Sequence, residues 1–213
     1  QALQIYGYIA FHMEDAYKTT STVYAEGLVF QGGEMVGVAR GINHAPTSQQ
    51  SGTDISGLHI NAYERAVIIK NMDHISVHDC LTFKVNLSLT DFQHFELINV
   101  NNSNFHHLMM ACPGVGTGGG GIVDNGITML NCHSNHISNV QASYWANGGN
   151  IVLLAGGSSG NTVEAVTKGS NATSLGDTIG LSAAGNNYFS NIDDQSFSAL
   201  PVGVGEPSIA NAI

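Results

Sequence analysis

One phrase is written three times at a spacing of 20 residues between Asp54 and Cys112, and a fixed period of that size sharply limits the possible folds. The copies open Asp54-Ile55-Ser56, His74-Ile75-Ser76 and His94-Phe95-Glu96, and apolar residues recur in columns: Ile60, Cys80, Val100; Ile69, Leu89, Met109; Met72, Phe92, Cys112. The patches are strand-like and lack helical periodicity. Short units of this kind bury their apolar faces only by stacking on their neighbours, which predicts a solenoid with one continuous core. The expected fold is all-β, a right-handed parallel β-helix of about six to eight coils.

The phrase continues at longer steps, with first apolar positions at 55, 75, 95, 137, 163 and 189. Paired with the residue three further on, these give Ile55/Leu58, Ile75/His78, Phe95/Ile98, Ile137/Val140, Val163/Val166 and Phe189/Ile192, which are assigned to the core with His78 as the one polar exception. A satisfied buried histidine or a local rotation of that strand accounts for it. Two neighbouring columns are polar throughout and are assigned to solvent: Ser56, Ser76, Glu96, Ser138, Glu164, Ser190, and His59, Asp79, Asn99, Gln141, Thr167, Asp193. The long step before Ile137 holds the nearly pure glycine run Gly114 to Gly121 and a fresh strand signal at Ile127 to Leu130, which reads as one coil carrying a loop between two of its faces, with a lost seventh coil as the alternative.

The domain reading is a single β-helix over 1–195, with irregular opening coils over 1–53, regular coils over 54–195 and a loop insertion over 111–126. Strand signals in the opening coils lie at Gln4 to Phe11, Thr22 to Phe30 and Met35 to Ile42, and the polar stretch Asn43 to Thr53 reads as a loop leaving the stack. The tail, 196–213, either caps the open end of the stack or links subunits.

Composition agrees with short strands and tight turns. Only 10% of residues are charged and 26 are glycine. The net charge of -10 argues against binding a polyanion such as nucleic acid. No window reaches the ~18 apolar residues of a membrane-spanning helix, and residues 1 to 20 lack the pattern of a signal peptide. Cys80, Cys112 and Cys132 form no CxxC pair and read as buried free thiols.

Stacked strands display side chains about 4.8 Å apart, a ladder that suits an extended polymer. Rows of neutral hydrogen-bonding residues fit the hydroxyls of an oligosaccharide, so His59, Asn99, Gln141 and Asp193 are candidate ligand contacts. Tyr63, stacked one coil from Phe83, and Trp145 are candidate platforms for sugar rings. Hydrolysis requires two carboxyl groups, and Glu96 with Glu164, expected two coils apart in one column, form the first candidate catalytic pair. Asp79, expected directly above His59, is a third catalytic candidate that can tune an imidazole. Asp193 and Asp194 make a further acidic spot. His74, His94 and His136 read as a ladder of corner residues. Cys112, Cys132, His133 and His136 have zinc-ligand chemistry but no zinc-motif spacing, and the glycine run is not followed by the Lys-Ser or Lys-Thr of a phosphate loop. No metal and no cofactor is expected.

The phrases His74-Ile75-Ser76, Asn135-His136-Ile137-Ser138-Asn139-Val140, Gly160-Asn161-Thr162-Val163-Glu164 and Asn186-Asn187-Tyr188-Phe189-Ser190-Asn191-Ile192 resemble the pectate-lyase-like superfamily of parallel β-helices. The likeness covers roughly residues 22 to 195 and is greatest to bacteriophage tailspike and tail fibre proteins. It implies a homotrimer on a virion tail, or an extracellular protein, that binds bacterial surface polysaccharide, with glycoside hydrolysis more in keeping than lyase chemistry. The polygalacturonase Asn-Thr-Asp, Asp-Asp and Gly-His-Gly signatures and the basic and calcium-binding motifs of pectate lyases have no counterpart, so the resemblance transfers no catalytic residue. A structural or adhesive fibre shaft and a secreted polysaccharide-degrading enzyme are the alternatives.

Overall fold

A computed structural model describes residues 4–13, 28–85, 91–112, 124–143, 149–169 and 178–194. The regular structure among them is all β. In chain order the strands are β1 (Gln4–Met13), β2 (Leu28–His44), β3 (Gln50–Ser51), β4 (Thr53–Asp73), β5 (Ser76–Lys84), β6 (Gln93–Asn101), β7 (Asn104–Ala111), β8 (Asn125–Leu130), β9 (His136–Ser143), β10 (Val152–Ala155), β11 (Thr162–Lys168), β12 (Ile179–Ser182) and β13 (Tyr188–Asp194). All pairings are parallel, and the strands stack into a β-solenoid, the parallel β-helix that the repeat predicts. The glycine run and the tail lie outside the described residues.

Two strand columns build the stack. The first half of β4 is followed by β5, β7, β9, β11 and β13, while its second half is followed by β6, β8, β10 and β12. Each coil after β4 therefore takes one strand from each column. The observed register corrects the 20-residue frame. Asp54 pairs with Ser76, Ser76 with Asn104, Asn104 with His136, His136 with Thr162 and Thr162 with Tyr188. The true first core row is Ile55, Val77, Phe105, Ile137, Val163 and Phe189. Phe95 belongs to the other column, in the row Val67, Phe95, Ile127, Val152, Ile179. His78 does not enter the core: Val77 and Cys80 do, and His78 faces outward between them. The opening coils also differ from expectation. Strand β2 runs unbroken through Gly32 and Gly33 to His44, and Gln50 and Ser51 pair with Met72 and Asp73 instead of leaving the stack.

Corners are written in a backbone code. At three positions per coil the chain takes a left-handed conformation: Gly57, Asp79, His107, Asn139, Ala165 and Asn191 (φ 50 to 63); Asn71, Asn99, Asn131, Gly156 and Ala183 (φ 52 to 59); and Gly52, His74, Asn102, Ser134 and Gly160 (φ 48 to 82). Most are Gly, Asn or Asp, the residues that tolerate this region at least cost.

Just inside the third corner lies a buried amide ladder. Asn135 accepts the backbone N–H of Ser103 on its Oδ1, Asn161 accepts that of Asn135, and Asn187 accepts that of Asn161, at 3.0 to 3.1 Å. Their Nδ2 groups donate to the carbonyls of Val100, Cys132 and Ser158. Asn135 and Asn161 also donate to the Oδ1 of the next asparagine, both at 2.9 Å. The ladder satisfies backbone groups that a turn within the stack would otherwise bury unpaired. The apolar rows fill the space beside it, with Phe95, Phe105, Leu97 and Ile137 wholly buried. Burial of each such side chain contributes about 1.5–3 kcal/mol. All three cysteines are buried and free, as expected.

Asn161→Ala strands the buried Asn135 N–H, while the Cys132 carbonyl keeps the Ser159 N–H, and should lower stability by about 1–3 kcal/mol in urea unfolding, against under about 0.5 kcal/mol for exposed Gln141→Ala. The imidazoles of His94 and His44 are lowered by burial to about 3 and about 4, with the Lys84 charge adding to the effect on His94. The unfolded chain therefore binds the extra protons. Stability should fall as pH drops below about 6.5, by roughly 1.4 kcal/mol per pH unit for each group down to its folded value, as denaturant midpoints across that range would report.

Candidate functional site

The outward side of the first strand column carries three registered rows. They read Asp54, Ser76, Asn104, His136, Thr162, Tyr188; Ser56, His78, His106, Ser138, Glu164, Ser190; and, beyond the first corner, His59, Leu81, Met109, Gln141, Thr167, Asp193. Parity along a strand puts them outside, because Ile55, Val77, Phe105, Ile137 and Val163 alternate inward between the first two rows.

At the centre of this surface is a strip of imidazoles and carboxylates. His78 is bridged on both ring nitrogens, Nδ1 lying 2.7 Å from Asp79 Oδ2 and Nε2 3.3 Å from Asp54 Oδ2. One coil on, the His106 ring stacks on His78 at 4.9 Å and 2°. Its Nδ1 is 2.9 Å from Nδ1 of His107, which in turn is 3.7 Å from Asp79 Oδ1. On the next coil, His136 Nε2 meets Glu164 Oε1 of the coil after it at 2.8 Å.

These contacts set the proton affinities. The hydrogen bond with Asp79 raises the His78 pKa, reinforced by Asp54, and the same bond lowers that of Asp79. His106 is lowered, first by burial and then by the neighbouring His78 and His107 rings. Adjacent stacked imidazoles are thus driven apart, one toward the cation and one toward the neutral base. That separation is what an acid–base pair requires.

The other candidates are placed as follows. Asp79 is at the left-handed corner of β5 beside His78; the residue paired with His59 is Leu81, so the expected Asp79–His59 stack does not form. His59 instead lies 3.6 Å from Glu34. Gln141 and Asp193 share its row. Asn99 lies in the second column, bonded to Asn71 at 2.8 Å and Asn131 at 2.6 Å in a ladder of corner asparagines. Tyr63 is exposed, but Phe83 pairs with Asn61 and the two aromatics are not stacked. Trp145 and the Asp194 side chain lie outside the described residues. His74 sits at an exposed corner while His94 is wholly buried with its Nδ1 2.7 Å from Thr82 Oγ1, so they form no ladder with His136.

Glu96 and Glu164 stand in different columns, which undoes the expected pair. Glu96 is paired between Ile68 and Thr128, and Glu164 between Ser138 and Ser190. Glu96 lines a shallow cleft of about 370 Å³ with Arg40, Glu64, Arg65, Ile68, Lys70 and Asp91. Its carboxylate is 3.2 Å from Arg65 and 3.9 Å from Lys70, Arg65 also binds Asp91 at 3.0 Å, and Arg40 binds Glu64 at 3.2 Å. The cleft is filled by its own counter-charges. Among the described residues no group of three or more His, Cys, Asp or Glu side chains is arranged to hold a metal ion; Cys112 and Cys132 are buried, and His133 bonds Ser159 at 2.9 Å.

Sequence reasoning passed over Asp54, His106 and His107 as members of the strip. The adjacent pair His106-His107 was the available signal, and its significance depends on a register that sets it against His78 and Asp79.

Comparison with protein-family models, with curated proteins and with solved structures found no match in any of the three.

The strip makes a titration prediction. In an NMR pH titration His78 should protonate at higher pH than a free imidazole and His106 at lower pH, and Asp79→Asn should bring His78 down. His78 stabilises the fold while it is protonated, so its contribution is present below its ordinary pKa of about 6.5 and lost as pH rises through the raised value.

Proposed function

We propose that this chain is a polysaccharide-binding β-solenoid of the bacteriophage tailspike kind, which lays an extended bacterial surface glycan along the outward rows of its first strand column. The observation that carries the reading is the unbroken registry of those rows over six coils, with polar groups recurring at the inter-strand spacing of about 4.8 Å. A neutral polymer of hydroxyls finds donors and acceptors at Asn104, Gln141 and Thr162, and apolar contact at Leu81, Met109 and Tyr188, of which Met109 and Tyr188 are exposed. The exposed rows of this column present no arginine, and its two lysines, Lys84 and Lys168, are buried. That favours a neutral glycan over a uronate polymer. The homotrimer and the virion-tail or extracellular setting belong to the same reading.

Hydrolysis is a second reading, favoured by the bridged His78. Its imidazole is bonded to a carboxylate on each edge, Asp79 at 2.7 Å and Asp54 at 3.3 Å, a pairing that supports a protonated ring as a general acid. In this arrangement His78 supplies the proton to the leaving oxygen, and a flanking carboxylate, Asp54 or Asp79, activates water.

A panel of purified bacterial polysaccharides tests both. Binding to at least one neutral glycan is expected, weakened about tenfold or more by Gln141→Ala together with Met109→Ala, a loss near 1.4 kcal/mol. If the surface is catalytic, release of reducing ends should fall about 10²- to 10⁴-fold in Asp79→Asn, while Glu96→Gln on the other column stays close to wild type. Binding to no glycan would overturn the reading and leave a structural shaft. Light scattering near a single 22.3 kDa chain would remove the trimer.

A further inference from the structure

Beneath the first column, where the chain crosses to the second, the core holds a cluster of reactive groups that no surface function uses. Lys84, the last residue of β5, and Asp124, just before β8, are each 0% exposed, and Lys84 Nζ lies 2.6 Å from Asp124 Oδ2. The other carboxylate oxygen, Oδ1, accepts the backbone N–H of Phe92 at 2.7 Å. The Cys112 thiol donates to Oδ2 at 3.4 Å. His94, wholly buried, is close enough for the Lys84 charge to help hold its imidazole neutral. The next coil packs against the Asp124 backbone so tightly that a Cβ on Gly149 would fall 1.4 Å from the Asp124 carbonyl oxygen.

An ammonium and a carboxylate sealed from water carry a desolvation cost of several kcal/mol each, which their mutual attraction only partly offsets. Here the amine nitrogen is in contact with the carboxyl group, the two oxygens are chemically distinguished by their donors, and water is excluded. We propose that Lys84 and Asp124 condense into an intramolecular amide bond, made by the folded chain itself and needing no other reactant.

A proton passes from Nζ to Oδ2 along their hydrogen bond, leaving an amine beside a carboxylic acid. The amine lone pair forms an N–C bond to the Asp124 carboxyl carbon, and the Phe92 N–H steadies the negative charge that develops on Oδ1, as an oxyanion hole does. A second proton from the nitrogen passes to Oδ2, the C–Oδ2 bond breaks, and one water leaves. The product is an amide whose carbonyl oxygen keeps its Phe92 donor, and both charges are gone from the core. The bond joins positions 40 residues apart and staples β5 to the strand that opens the next face.

Intact-mass spectrometry of the full-length protein, purified and then denatured, decides the matter. The expected mass is one water below that of the sequence, and a protease digest should contain a branched peptide joining the Lys84 and Asp124 segments. Lys84→Arg, which has no amine to condense, should return to the full sequence mass; because the mass is read after denaturation, this variant need not fold. A wild-type mass equal to that of the sequence, with the Lys84 peptide recovered linear, overturns the proposal. So does a mass deficit of one water that persists in Lys84→Arg or maps to a linear peptide cleaved by hydroxylamine, which would mark a cyclic imide at Asp124-Asn125.

Discussion

The amide side chains of Asn135, Asn161 and Asn187 couple each coil to the next more directly than any apolar contact does. Each accepts the main-chain N–H of the preceding ladder residue and donates to a main-chain carbonyl of the preceding coil. A turn buried inside a stack leaves backbone groups without water, and at that depth an unmade hydrogen bond costs about 1–3 kcal/mol. The ladder supplies those partners at the same point in every coil it spans, and so fixes the rise and phase of the coils. Once phase is fixed, the inward rows meet as a continuous core and the outward rows become registered ladders of functional groups.

The fold class was legible because its cause is local. Alternating apolar and polar residues, with Asn-x-φ phrases and scattered Gly, specify short strands and left-handed corners whatever the loops do. The coil period was not legible, because coils differ in length: Asp54 to Ser76 is 22 residues, whereas Ile75 to Ser103 spans 28 and Ser103 to Asn135 spans 32. The apparent 20-residue repeat joined strands of different columns, and at Ile75 it slipped by two residues. A slip of two preserves inside–outside parity, so sorting apolar from polar columns could not expose it. His78 could: it was the one polar residue in a nominal core row because its true place is outward.

The same slip governed the site. Gln141, Thr167, Asp193 and Glu164 follow the 26-residue coils and fell into their correct rows, while Asp79, Asn99 and Glu96 came from the misphased part and were dispersed. What replaced them, the strip from Asp54 through His78 and His106 to His136 and Glu164, draws on separate coils. Its contacts between coils exist only in register. The surface also divides by charge: carboxylates and imidazoles on the first column, and on the second the ion-paired Arg40, Arg65 and Lys70. The exposed rows of the first column carry no lysine or arginine, and that is the physical basis for the proposal of a neutral glycan.

The central claim is the register of the six stacked rungs, and it is most directly tested by a distance. Spin labels at His59 and Asp193, in one outward row, are separated by five inter-strand steps of about 4.8 Å, so pulsed electron paramagnetic resonance should give a distribution centred near about 24 Å. A single population near that value supports the stack. A centre displaced by two rungs or more, or a broad distribution, would contradict it.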